Sequence, residues 1–319
     1  MDKILEVNHL KKYFSTPKGD LHAVDDVSFS IDHGKTLGVV GESGCGKSTL
    51  GNVIIGLQNA TEGEILFEGR DITAMKGAER RSLLTEMQMI FQDPFSSLNP
   101  RMCVSQLIAE PLRNFHICKS KEELEKRVAE LMDLSGLAKR LRFAFPHELD
   151  GGRRQRIGIA RALALDPKFV VCDEPVSALD VSIQAQILNL LMDIQAEKGI
   201  SLMFITHDLS VVKHISDDIM VMYLGCIVEK ATPDALFRLQ LHPYTKGLLA
   251  AIPVPSLEHQ EKDILMGEIT SPIEPPKRCR FYNRCVYAKE RCACEEPVLE
   301  EVLPGHFVSC HYVREINGL

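Results

Sequence analysis

The sequence predicts an α/β chain built on a mainly parallel sheet, with a cysteine-rich C-terminal extension. Three observations carry this. Short β-branched apolar runs alternate with helical patterns through the second half of the chain. A glycine-rich loop directly follows one such run. Five of the ten cysteines fall between Cys279 and Cys310. Alternating strands and helices favour a parallel sheet covered by helices on both faces.

Ile4-Leu5-Glu6-Val7 and Val27-Ser28-Phe29-Ser30-Ile31 alternate as half-buried strands do. Thr36–Val40 reads as a buried strand and Lys47 to about Ile55 as a helix. Residues from about Ser96 to Ile159 turn helical. Within them Ser120-Lys121-Glu122-Glu123 fits a capping box, with Leu124, Val128, Leu131 and Met132 on one face. Phe169–Cys172 is a strand, Val181 to Ile194 a helix, and Ser201 to Ile205 another strand. From Ile252 two proline-rich connectors lead into the cysteine-rich segment. The expected organisation is one domain over residues 1–251, with a helical subdomain at about 94–160, and an extension over 252–319.

Composition narrows the function. The chain has 319 residues, 45% hydrophobic and 25% charged, with a formal net charge of −7. That is ample for a core and carries no general basic footprint for nucleic acid. No run of 18 apolar residues occurs and the start lacks a secretory pattern, so a cytosolic protein is expected. Crowded cysteines in that setting read as metal or cluster ligands rather than disulfides.

Gly41-Glu42-Ser43-Gly44-Cys45-Gly46-Lys47-Ser48 matches G-x-x-x-x-G-K-[ST] between a strand and a helix, with Thr49 in the first helical turn. Its backbone amides and helix N-terminus suit phosphates. Lys47 is expected to reach the β- and γ-phosphates of ATP and Ser48 to bind Mg²⁺. Asp173 and Glu174 end an apolar strand, at the edge where α/β proteins bind ligands. Asp173 fits a Mg²⁺-orienting carboxylate and Glu174 a general base for water. Gln92 is placed to touch Mg²⁺ or that water, His207 to contact the γ-phosphate, and Tyr13 to stack on adenine.

Together these residues resemble the nucleotide-binding subunits of ABC transporters, from Ile4 to about Ile252. The phosphate loop, Gln92, Gly151-Gly152, Asp173-Glu174, Ser177-Ala178-Leu179-Asp180 and His207 occur in that family's order. IFQDPFSSLNPRM, CDEPVSALDVSIQAQILNLL, HDLSVVKHISD and LHPYTKGLLAAIP resemble the oligopeptide/dipeptide importer ATPases, most of all the second ATPase of such systems. The resemblance implies an ABC-type P-loop ATPase with a mainly parallel core sheet, an antiparallel β subdomain and an α-helical subdomain. It implies a head-to-tail dimer in which each ATP meets one subunit's phosphate loop and the other's signature loop. Implied partners are a second, related ATPase subunit, two transmembrane permease subunits and, indirectly, a substrate-binding protein, at the cytoplasmic face of the membrane. Import of another solute, such as a metal chelate, and a soluble non-transport ABC ATPase are the alternative readings.

Two features depart from, or extend beyond, that pattern. The usual signature Leu-Ser-Gly-Gly-Gln is here Leu149-Asp150-Gly151-Gly152-Arg153. Asp150 either repels the partner's γ-phosphate, making the two ATP sites unequal, or turns aside to cap its own helix. Cys279, Cys285, Cys292 and Cys310 offer four thiolates, with Cys294 a spare or an alternative third ligand. Four thiolates suit an iron–sulfur cluster or tetrahedral Zn²⁺, but the spacing is neither a common ferredoxin run nor a paired C-x-x-C ribbon and leaves open these two and unligated cysteines. Resemblance to the peptide-importer subfamily implies [4Fe–4S].

Overall fold

Hydrophobic patterning and tight turns account for most elements of the fold. The computed structural model describes residues 2–251 and 271–319; the proline-rich connectors lie largely outside them. In chain order, β1 (Lys3–Thr16) and β2 (Gly19–Asp32) precede β3 (Thr36–Val40), α1 (Lys47–Ile55), β4 (Glu62–Phe67) and β5 (Arg70–Asp71). Next come α2 (Gly77–Glu86), β6 (Met87–Ile90), α3 (Pro94–Ser97), α4 (Val104–Asn114), α5 (Lys121–Leu134) and α6 (Gly151–Leu163). β7 (Phe169–Asp173), α7 (Val181–Lys198), β8 (Ser201–Thr206), α8 (Leu209–Ile215) and β9 (Asp218–Tyr223) then alternate. β10 (Cys226–Ala231), α9 (Pro233–Arg238) and α10 (Pro243–Ala250) follow, and the extension holds α11 (Glu290–Cys294), β11 (Glu300–Leu303), β12 (His306–Val308) and α12 (Val313–Asn317).

The chain folds as two compact units. The first comprises Met1–Ile4, Asp32–Lys35 and Ala74–Phe204. Its strands lie in the order β8-β7-β6, with β6 and β7 parallel from Met87↔Phe169 to Ile90↔Cys172. β7 is buried along its whole length, which is why it reads as an unbroken apolar run. The expected helical stretch is four α-helices, α3 to α6, interrupted by 3₁₀ turns at Lys139–Phe143 and Pro146–Glu148. Ser120 caps α5 through Glu123 N–H at 3.1 Å. The Glu123 carboxylate reaches back to the Lys119 N–H at 2.7 Å, so the predicted box closes one residue early. Val128, Leu131 and Met132 bury the α5 face.

The second unit comprises Leu5–Ile31, Thr36–Thr73 and Ile205–Leu319. One sheet has the order β2-β1-β4-β5, with β1 and β4 antiparallel from Leu5↔Phe67. Both β1 and β2 run 14 residues, far beyond the short alternating cores that the sequence marks, because pairing extends them over polar positions. β3 lies parallel to β9, from Leu37↔Asp218 to Val40↔Val221. The sheet turns antiparallel beyond β9. Leu224 and Gly225, at φ 44° and 83°, make the two-residue turn between β9 and β10 that hairpins favour. β12 then pairs with β10 through Glu229↔Val308 and Lys230↔Phe307, and β11 with β12.

The extension is thus woven into the sheet. Leu241, Val302, Val308 and Val313 form a small apolar cluster. Beside it the fully buried Glu229 accepts from Leu241 N–H at 2.7 Å, His242 N–H at 3.0 Å and His306 Nε2 at 2.7 Å. A buried carboxylate is tolerable only with such a complete set of donors.

Candidate nucleotide site

The phosphate loop belongs to the second unit. The buried strand β3 delivers Gly41 and α1 begins at Lys47. A side chain at Gly41 would meet the Met222 carbonyl at 2.2 Å. One at Gly46, whose φ is 105°, would meet the Ala23 carbonyl at 2.0 Å. Only glycine fits these two positions. The Lys47 ammonium is buried inside the loop, donating to Gly41 O at 2.8 Å and Glu42 O at 3.0 Å. It is held by carbonyls that a phosphate oxygen can replace. The Cys45 thiol is buried beside it, and burial pushes its pKa up; Cys45 fills the loop's interior.

Tyr13 lies in β1 of the same unit. Its ring stacks on His22, with centroids 3.8 Å apart and 21° between planes. Its hydroxyl donates to Asp25, and burial followed by that bond raises the phenol pKa. One ring face is therefore already covered by His22. His207 is exposed just beyond β8, ahead of Asp208, which caps α8 through Ser210 N–H at 2.8 Å.

The carboxylates belong to the first unit. Asp173 is buried at the end of β7. Glu174 follows with φ 43°, a left-handed conformation uncommon for a residue with a side chain and typical of strained functional positions. Gln92, exposed two residues past β6, donates from Nε2 to Glu174 Oε2 at 2.9 Å. The parallel β6–β7 register brings together two residues 82 apart in the chain. Ser177 and Asp180 close the next turn, where Ser177 Oγ donates to Glu174 O at 3.2 Å and Asp180 caps α7 through Ile183 N–H at 3.0 Å. Of the three predicted Mg²⁺ ligands, Asp173 and Gln92 lie in this unit and Ser48 in the other.

The signature sits at the start of α6. The Asp150 carboxylate turns onto its own helix: Oδ1 accepts from Arg153 N–H at 2.8 Å and Oδ2 lies 3.4 Å from Arg153 Nη1. Gly152 allows the helix to pack close, since a side chain there would meet Ile183 Cγ2 at 2.6 Å, and Gly151 abuts Leu179.

Residues 24–177 match the family model described as ABC transporter, and residues 228–292 match the one described as oligopeptide/dipeptide transporter, C-terminal region. The chain is 52% identical over 308 residues to the oligopeptide transport ATP-binding protein OppF of Salmonella typhimurium, spanning 96% of this chain and 92% of that protein. It is 50% identical over 312 residues to OppF of Bacillus subtilis, spanning 97% and 96%. The dipeptide transport ATP-binding protein DppF of Haemophilus influenzae is 46% identical over 318 residues, spanning 97% of each chain. The chain belongs to the ABC transporter ATPases of the oligopeptide/dipeptide family.

Its fold is that of the ABC cassette. A dimeric structure of the ATP-binding cassette MJ0796 in a post-hydrolysis state, bound to ADP and Pi, superposes with a TM-score of 0.67 at 27% identity, covering 72% of this chain and 98% of that one. ATP and Mg²⁺ are accordingly the expected ligands of this ABC ATPase, and permease subunits its expected partners. Among the described residues no helix is long and apolar enough to cross a membrane.

The cysteines of the ABC ATPase's extension gather only in part as ligands would. Burial raises the Cys279 thiol to about 12, and the neighbouring Cys292, Cys310 and Cys285 add to it. Burial likewise raises Cys285 and Cys310, the latter to about 11. Cys294 is exposed. Among the described residues no group of three or more His, Cys, Asp or Glu stands ready to hold a metal ion. The four thiols are neighbours, short of ligand geometry.

Proposed function

We propose that this ABC ATPase powers uptake of oligopeptides or dipeptides through a membrane importer, bound peripherally at the cytoplasmic face. The observation that carries it is the joint match of cassette and C-terminal region, over nearly the whole length of ATP-binding subunits named for peptide transport. Residues 1–251 serve as the nucleotide-binding domain and 252–319 as its extension. The partner ATPase is a related second subunit, and an extracytoplasmic binding protein delivers the peptide.

In this reading the Gly41–Thr49 segment wraps the phosphates, Lys47 exchanges its carbonyl partners for phosphate oxygens, and Tyr13 offers its open ring face to adenine. Glu174 takes the proton of the attacking water, and Gln92 orients its carboxylate. His207 holds the γ-phosphate end. Ser48, Asp173 and Gln92 would hold Mg²⁺, which neutralises charge on the β- and γ-phosphates. Leu149–Arg153 and Ser177–Asp180 serve the partner's ATP across a head-to-tail dimer.

Glu174→Gln tests the assignment. A positioned base contributes about 10²–10⁴-fold, so hydrolysis should fall at least a hundredfold while ATP binding persists. Peptide uptake into vesicles carrying the permease subunits should stop with it. Vesicles that import metal chelates and no peptide would refute the substrate class.

Cys279, Cys285, Cys292 and Cys310 are proposed to bind a [4Fe–4S] cluster of structural role. Their mutual proximity supports this. Anaerobically purified protein should be brown and contain iron; stoichiometric zinc without iron would refute it.

A further inference from the structure

We propose that Arg284, carried by the cysteine-rich extension, is a positioning residue for the phosphate loop and acts through Glu42. The inference rests on the reading that Gly41–Ser48 binds ATP.

Glu42 occupies an unspecified position of the phosphate-loop motif, yet all three of its polar groups are engaged. Its N–H donates to the Tyr244 hydroxyl at 2.8 Å and its carbonyl accepts from Lys47 at 3.0 Å. Its carboxylate accepts two parallel bonds from Arg284, Nη1 to Oε2 at 2.6 Å and Nη2 to Oε1 at 3.0 Å. Arg284 is itself buried, with its guanidinium 5.8 Å from the Tyr223 ring centroid and 5.9 Å from that of Phe281. A forked pair between such groups is strong and sets direction as well as distance.

The fork does two things for the loop. It draws the Glu42 carboxylate towards Arg284 and neutralises it, so that this loop side chain does not repel a triphosphate. It also anchors the turn whose carbonyls hold Lys47, fixing the ammonium where a phosphate oxygen must arrive. The same short segment reaches the Tyr13 side, because Arg280 pairs with Asp25, the acceptor of the Tyr13 hydroxyl. Residues 280–284 therefore brace two parts of the nucleotide site, and by reciprocity of linkage nucleotide must brace them.

The test uses the full-length chain and ATP with Mg²⁺, measuring Kd by calorimetry and KM and kcat by hydrolysis. Arg284→Gln, which leaves the Glu42 charge uncompensated and the turn unanchored, should weaken ATP binding about tenfold, as loss of a charged fork implies, with kcat changed less than about threefold; Glu42→Gln, which loses the anchor but also the charge, should weaken it by less. The double variant should bind no worse than either single one, because both remove the same interaction. Arg284→Lys should recover part of the loss, keeping the charge without the fork. In the unaltered chain ATP should slow hydrogen exchange across residues 279–285. Unchanged ATP affinity in Arg284→Gln, additive losses in the double variant, or exchange indifferent to ATP would each overturn the proposal. Lys47→Ala separates the two levels. If it leaves ATP binding intact, the phosphate-loop reading itself fails; if it abolishes binding while Arg284→Gln does nothing, only the role of Arg284 fails.

Discussion

Replacing Asp150 by serine restores the family's usual residue, and the structure says that little should follow. Were the carboxylate aimed at a partner's γ-phosphate, two like charges about 4 Å apart at an effective dielectric of 20 would repel by about 4 kcal/mol. That is roughly a thousandfold in affinity or rate. The carboxylate instead caps α6 through Arg153 N–H at 2.8 Å, with the Arg153 guanidinium at 3.4 Å. Serine caps a helix about as well as aspartate. The Asp150–Arg153 pair is about half exposed, and such pairs contribute only about 0–1 kcal/mol. Asp150→Ser should therefore change stability by less than about 1 kcal/mol and hydrolysis by less than about threefold. Asp150→Ala, which loses the cap, should cost about 1 kcal/mol. Urea denaturation of the subunit and ATP hydrolysis by the assembled transporter measure the two. A tenfold or larger rise in hydrolysis on Asp150→Ser would refute this reasoning and show that the carboxylate does oppose a second ATP.

Three further outcomes are expected. Gly46→Ala should cost the loop roughly 1–3 kcal/mol, since φ is 105° and the new side chain would sit 2.0 Å from the Ala23 carbonyl; ATP affinity by calorimetry should fall at least about tenfold, and an unchanged value would mean the loop relaxes freely. His242 is buried beside Glu229, and burial lowers its pKa to about 4 from an ordinary 6.5. The native state stays neutral where the unfolded chain takes a proton, so stability should be full above about pH 6.5 and fall as pH drops towards 4, by roughly 3 kcal/mol; His242→Asn should flatten that part of the urea-midpoint profile, and an unaltered slope would remove His242 as its cause. Iodoacetamide followed by mass spectrometry should label exposed Cys294 early and Cys45 late, because Cys45 is buried and its thiol pKa raised; prompt labelling of Cys45 would show a loop more open than described.

Much of the site was legible because its parts are local. The phosphate loop, the start of α1 at Lys47 and the end of β7 at Asp173 follow from glycine placement and an unbroken apolar run. The cap at Asp150 was one of two readings that the residue type allowed. Other features could not be read along the chain. The Gln92–Glu174 bond depends on the β6–β7 register. The stacking of Tyr13 on His22 depends on β1 and β2 running side by side. Nothing near Arg284 in sequence points to Glu42, 242 residues away.

By itself the sequence determined the ATPase class, because catalysis at phosphates needs a few residue types at short, fixed spacings, and those spacings survive in one dimension. It also determined that five of the ten cysteines crowd into the end of the chain. Only the tertiary structure decided where charge goes. Asp150 turns to its own helix, Glu42 to an arginine of the extension, and Glu229 into the core with three donors. A carboxylate's partner is chosen by whatever donors packing brings within about 3 Å, and packing joins residues that the chain keeps far apart.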